Sequence, residues 1–194
     1  MPEHPPGHRA LYASGVALPT GSPLTLADLE AMPDDGRRYE LIGGAIVMTS
    51  APVPLHQRIF RNLQRLLEEA SPGGHEVFDA PIDLDLPDGQ RVQTDLVLVP
   101  AGSIGPQRLT LPVLLVVEIV SAGSRTNDLA TKRLAYAEAG IPAYWLVDQE
   151  RPRVTCLRLV GDSYATYAEG PAVEVDWPVA LRFEVSALAR PPGA

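Results

Sequence analysis

The sequence predicts an α/β (α+β) protein, a mixed β-sheet flanked by helices. Three observations lead there. Leu114-Leu-Val-Val-Glu-Ile-Val120 is an almost continuous apolar run, as expected of a strand buried on both faces. A helical pattern, Thr126 to Ala139, follows it and precedes a strand pattern, Ala143 to Val147, so strand, helix and strand form a crossover. Leu55 to Ala70 carries Ile59, Leu63, Leu66, Leu67 and Ala70 at helical spacing, the stripe of a helix that packs on a sheet.

The remaining elements follow in chain order. Thr25 to Met32 fits a short helix capped by Thr25 and closed before Pro33. Tyr39 to Ile42 and Ala45 to Thr49, split by Gly43-Gly44, read as a hairpin. Pro72-Gly-Gly ends the long helix, and Glu76 to Leu86 reads as one strand. After a turn at Pro87-Asp-Gly89, Arg91 to Val99 alternates. Val92, Thr94, Leu96 and Leu98 face one way, Gln93, Asp95, Val97 and Val99 the other. Thr126, Asn127 or Asp128 can cap the crossover helix, which closes at Gly140. Val154 to Val160 and Ser163 to Tyr167 look like an antiparallel pair joined at Gly161-Asp162.

A chain of 194 residues suits one domain. We expect a flexible arm over residues 1–22, a single domain over 23–189 and a short Pro/Gly tail over 190–194. No apolar run approaches the ~18–20 residues that cross a bilayer. Met1 to His8 lacks a signal-peptide design, and one cysteine, Cys156, permits neither an internal disulfide nor a cysteine-cluster zinc site. The expected location is cytoplasmic, with no membrane partner. The net charge of −8 argues against loose, charge-driven binding to nucleic acid. It leaves room for a nucleic-acid enzyme, because carboxylates at a metal site are neutralised by bound cations. The sixteen basic residues are fifteen arginines and Lys132. A lone ammonium is either chance or a place where a group able to lose its proton is needed.

Glu118 is the strongest chemical signal. An isolated carboxylate in so apolar a strand would cost several kcal/mol, so it must be paired, protonated or bound to metal. Asp95 sits within a strand pattern, where Asp is disfavoured. If the two strands are neighbours, both carboxylates meet at one sheet edge, a donor set suited to Mg²⁺ or Mn²⁺. Lys132 shares a helix face with Leu129 and Tyr136 and would point at the sheet, unless it forms a surface pair with Asp128. Glu40, from the hairpin, could add a carboxylate. His56, at the start of the long helix, could carry a proton or neighbour a metal, or simply be a polar residue near the cap. Arg58, Arg61 and Arg65 either track a phosphate backbone or form a solvated face. No P-loop, dinucleotide glycine fingerprint or Gly-x-Ser-x-Gly elbow is present.

The order Asp95, Glu118, Lys132 is that of a PD-(D/E)xK nuclease site with its lysine displaced. Six segments sharpen this: Tyr39-Glu-Leu-Ile-Gly-Gly-Ala-Ile-Val, Pro54-Leu-His56, Gln93-Thr-Asp-Leu-Val, Val116-Val-Glu-Ile-Val-Ser, Asp128 to Tyr136, and Gly140 to Asp148. In that order they resemble the Uma family of restriction-endonuclease-like proteins, over roughly residues 25–188. The resemblance implies a restriction-endonuclease-like core with an extra N-terminal hairpin and C-terminal strands. It implies a Mg²⁺-dependent deoxyribonuclease with DNA as substrate, and often a homodimer. Asp95 and Glu118 would hold the metal, and Lys132 would position water or stabilise phosphate. Glu40 and His56 fall on family motif positions. Where the usual lysine stands two residues after the glutamate, this chain has Val120, so Lys132 must reach in from the helix. Thr94 stands in place of the usual proline before the aspartate, and Ala122-Gly-Ser124 in place of Pro-Ser-Thr after Ser121.

The leading expectation is therefore a metal-dependent endonuclease. The alternative is a non-catalytic binding or regulatory module of the same fold, with Glu118 and Lys132 as a structural ion pair. A third reading, a carboxylate-pair sugar hydrolase, requires carboxylates on opposite walls of an open cleft.

Overall fold

The structure is a computed structural model and describes residues 11–13, 16–18, 22–49, 52–121, 124 and 127–191. The chain opens with β1 (Leu11–Ala13), β2 (Val16–Leu18) and α1 (Leu26–Glu30). A hairpin follows, β3 (Arg38–Ile42) and β4 (Ala45–Thr49), and then the long helix α2 (Pro54–Ala70). Next come β5 (His75–Asp79), β6 (Asp83–Leu86), β7 (Gln90–Gln93), β8 (Leu96–Pro100) and β9 (Leu115–Val120). A π-helical turn, Asn127–Lys132, runs into α3 (Arg133–Glu138) and returns the chain to β10 (Ala143–Asp148). The C-terminal part holds β11 (Arg153–Val160), β12 (Ser163–Gly170), β13 (Ala172–Val175), β14 (Leu181–Glu184) and α4 (Val185–Leu188).

The strands form two six-stranded sheets, ordered β1-β2-β4-β3-β7-β6 and β12-β11-β10-β9-β8-β5, and a small hairpin, β13-β14. Among the strands of the described residues only β9 and β10 pair in parallel, joined by the expected helical crossover. The second sheet is buried on both faces. Leu115, Val117 and Ile119 pack with Ile59, Leu63 and Leu67 of α2 and with Phe183 and Leu188 near the C-terminus. Val116 and Val120 pack on the other side with Tyr136, Tyr144 and the first sheet's Ile42, Leu84 and Val92. The unbroken apolar run of β9 follows from this double burial. In the β3–β4 turn, Gly43 and Gly44 have φ of +57° and +72°, and a Cβ on Gly44 would lie 2.7 Å from Pro23 Cβ.

Several expectations need correction. Residues 76–86 are two strands in different sheets, β5 and β6, separated around Pro81. A proline has no N–H for a ladder, so the pairing changes there. Residues 91–99 are likewise two strands, β7 in the first sheet and β8 in the second, broken at Thr94-Asp95. The break resets the alternation: Val92 packs with Val97 and Val99, whereas Leu96 and Leu98 join the opposite core. The crossover helix is π-helical in its first half, and Leu129 is exposed rather than turned to the sheet beside Lys132. Thr126, one of its possible caps, lies outside the described residues. The expected arm over residues 1–22 lies mostly outside them too, but two pieces of it are strands, with β2 added to the edge of β4. An open edge offers unpaired backbone groups that such a segment satisfies.

Candidate active site

The site forms where the chain passes from the first sheet to the second. The β8–β9 ladder ends at Leu96 opposite Val117, so Asp95 stands one step beyond it, opposite Glu118. There the Asp95 carboxylate replaces the missing backbone partner: Ile119 N–H donates to its Oδ2 at 2.7 Å. His56, in the first turn of α2, places Nε2 3.2 Å from the same oxygen. Both contacts fall on Oδ2, which leaves Oδ1 for a further partner. Burial works to raise the Asp95 carboxyl, but the hydrogen bond and charge of His56, the Ile119 N–H and the charge of Lys132 outweigh it. Together they hold Asp95 below the ordinary carboxylate range.

Gln93, at the end of β7, leaves its backbone groups to side chains of the site. Its N–H donates to Glu40 Oε1 at 2.7 Å, and its carbonyl accepts from Lys132 Nζ at 3.1 Å. Lys132 Nζ also lies 3.1 Å from Glu40 Oε1 and 3.0 Å from Glu118 Oε1. Tyr136 donates its hydroxyl to that same Glu118 oxygen at 2.8 Å. Glu40, Glu118 and Lys132 are only 2–4% exposed, so this is a charged cluster inside the protein. Such a cluster persists because each charge has opposite charges and donors around it.

The five residues singled out from the sequence thus fall in two adjoining groups. His56 meets Asp95, and Lys132 joins Glu40 to Glu118. The charge of Lys132 is felt at Asp95. Val120 is buried among apolar side chains, and the Lys132 ammonium comes instead from the end of the π-helical turn. Sequence reasoning set Tyr136 on the face of Lys132 but assigned it no role. It had no means of finding the parts played by the backbones of Gln93 and Ile119, which depend on where ladders end. Arg58 donates to the carbonyl of Ala189 at 3.1 Å. The side chain of Asp128, the other candidate partner for Lys132, lies outside the described residues.

The donor set fits a small hard cation. Mg²⁺ commonly takes one or two carboxylates and completes its shell with water and substrate phosphate, rather than filling a protein cage. Asp95 and Glu118 supply two carboxylates on neighbouring chain segments, one step beyond the last pair of the β8–β9 ladder. Among the described residues no group of three or more His, Cys, Asp or Glu side chains is gathered as a cage. Neighbouring positions on one sheet are not the opposite walls that a sugar-cleaving carboxylate pair needs.

The fold is thus a crossover-bearing mixed sheet, with Asp95 just before β8, Glu118 within β9 and Lys132 reaching in from the π-helical turn. The family model described as "Putative restriction endonuclease", Uma2, matches residues 26–186, and the chain belongs to that family. The fold is similar to the crystal structure of "a putative nuclease belonging to DUF820" from Anabaena variabilis ATCC 29413. The TM-score is 0.67 at 16% identity, over 86% of this chain and 98% of that one. A comparison with proteins of curated function finds no match. Among the described residues no helix is long and apolar enough to cross a membrane.

Proposed function

We propose that this chain is a metal-dependent endonuclease that hydrolyses phosphodiester bonds in DNA. The observation that carries the reading is the juxtaposition of Asp95 and Glu118 where the β8–β9 ladder stops, with Lys132 closed on Glu118. Membership of a family described as "Putative restriction endonuclease" supports DNA as the substrate.

Asp95 and Glu118 would hold the cation, Mg²⁺ or Mn²⁺. Bound there, it supplies Lewis acidity, polarising a phosphoryl oxygen and lowering the pKa of a water. Lys132 is the local positive charge. Held by Glu40, Glu118 and the Gln93 carbonyl, it is pre-organised to stabilise negative charge that develops on phosphate. His56 orients the Asp95 carboxylate through Oδ2. Glu40 anchors Lys132 from the first sheet and keeps that sheet in register with the site.

A second reading, a non-catalytic module of the same fold, is favoured by one observation. Lys132 already forms a buried ion pair with Glu118, which is what a purely structural pair would look like. Incubation of supercoiled plasmid and of single-stranded DNA with Mg²⁺ or Mn²⁺ separates the two. The nuclease reading expects cleavage by the wild type that is abolished by a chelator, by Glu118→Ala and by Lys132→Ala. Cleavage that survives Glu118→Ala, or its absence on both substrates from folded wild type, would overturn it, and the latter would favour the module.

A further inference from the structure

We propose that Tyr136 is a positioning residue for Glu118, and that its hydroxyl sets the orientation in which this carboxylate meets a divalent cation. The inference rests on the metal-site reading above. A glutamate on a strand has three rotatable bonds, and a ligand must be held close to its productive orientation before binding. Here two donors converge on one oxygen: Lys132 Nζ at 3.0 Å and Tyr136 OH at 2.8 Å from Glu118 Oε1. Pinning Oε1 on the side of α3 fixes the plane of the carboxylate and therefore the direction in which Oε2 points.

The backbone makes this convergence possible. Lys132 ends the π-helical turn and Tyr136 lies one α-helical turn later, so both side chains leave the same face of the crossover and reach one atom. Tyr136 is wholly buried, and its ring meets Tyr144 of β10 edge to face, with centroids 5.1 Å apart. The phenol is thus held by packing as well as by its hydrogen bond. A rigid neutral donor can orient a carboxylate without adding charge to the site, whereas Lys132 also offsets charge. The two donors to Oε1 are therefore not interchangeable.

Tyr164 supplies the internal control. It is also buried and also faces Tyr144, with centroids 5.8 Å apart, but its hydroxyl donates to the Ile141 carbonyl at 2.7 Å, away from the carboxylates. The test measures Mn²⁺ binding to full-length wild type, Tyr136→Phe and Tyr164→Phe by titration calorimetry. Thermal unfolding of the same samples checks that each is folded. Groups that orient a metal ligand typically change metal affinity by about 10–100-fold. Tyr136→Phe should therefore weaken Mn²⁺ binding by about 10-fold or more while the folded structure persists, and Tyr164→Phe should leave affinity unchanged. Equal affinity in wild type and Tyr136→Phe would overturn the positioning role while leaving the metal site standing. Equal weakening in both variants would overturn it too, by marking a general packing effect. Failure of wild type to bind Mn²⁺ would instead overturn the metal-site reading itself, and the inference with it.

Discussion

Lys132 Nζ lies 3.0 Å from Glu118 Oε1, and both side chains are almost completely buried. Beside them stands a second carboxylate, Glu40, 3.1 Å from the same ammonium. Removing the lysine would leave two buried carboxylates without their shared cation. Breaking a buried pair from one side costs about 3–5 kcal/mol, mostly because a charge is stranded. Lys132→Met should lower the unfolding free energy by about that amount, read from urea denaturation at neutral pH. A loss below about 1 kcal/mol, the range of exposed pairs, would contradict the buried cluster.

Asp95 makes stability depend on pH in a definite direction. Burial alone would raise its carboxyl, but the surrounding donors and positive charges prevail and hold the folded value below the ordinary 3.8. A depressed carboxyl stabilises the fold fully above its unfolded value, and the contribution disappears as pH falls through the folded value. The stability difference between wild type and Asp95→Asn should therefore be level at neutral pH and shrink as the medium is acidified below about pH 4. A difference that grows on acidification would mean that burial wins.

The C-terminal helix is tied down by α2 rather than by its own ends. Asn62 Nδ2 donates to the Leu188 carbonyl at 2.7 Å, and Arg58 donates to that of Ala189 at 3.1 Å, closing α4 from outside. Asn62→Ala and Arg58→Ala should each cost about 1–3 kcal/mol. Amide hydrogen exchange should accelerate selectively over residues 185–190 while β9 stays protected. Uniform acceleration through both regions would show that the helix has no separate tether.

Much of the fold was readable along the chain. The stripe of α2, the glycine turn of β3–β4, the doubly buried β9 and the β9–α3–β10 crossover all show in local spacing. So did the chemistry of Glu118, because a carboxylate in Leu114 to Val120 demands a partner whatever the surroundings. The break at Thr94-Asp95 was not readable. Val92 to Val99 keeps a strand pattern across it, and both halves are strands. Pro81 was a usable sign of the other break, between β5 and β6, since proline interrupts a ladder.

By itself, the sequence determined the long helix α2, the β3–β4 hairpin, the buried β9 and its crossover to β10, and that a carboxylate at Glu118 needs a partner, because periodicity and the cost of burying charge are local. Only the tertiary structure decided that β7 and β8 belong to different sheets, that Glu40 and Glu118 share one lysine, and that Tyr136 meets the same oxygen. Those relations bring together residues that lie far apart along the chain. They are set by which strand edges pair and where each ladder stops, and a pattern with a period of two or 3.6 residues carries no record of that.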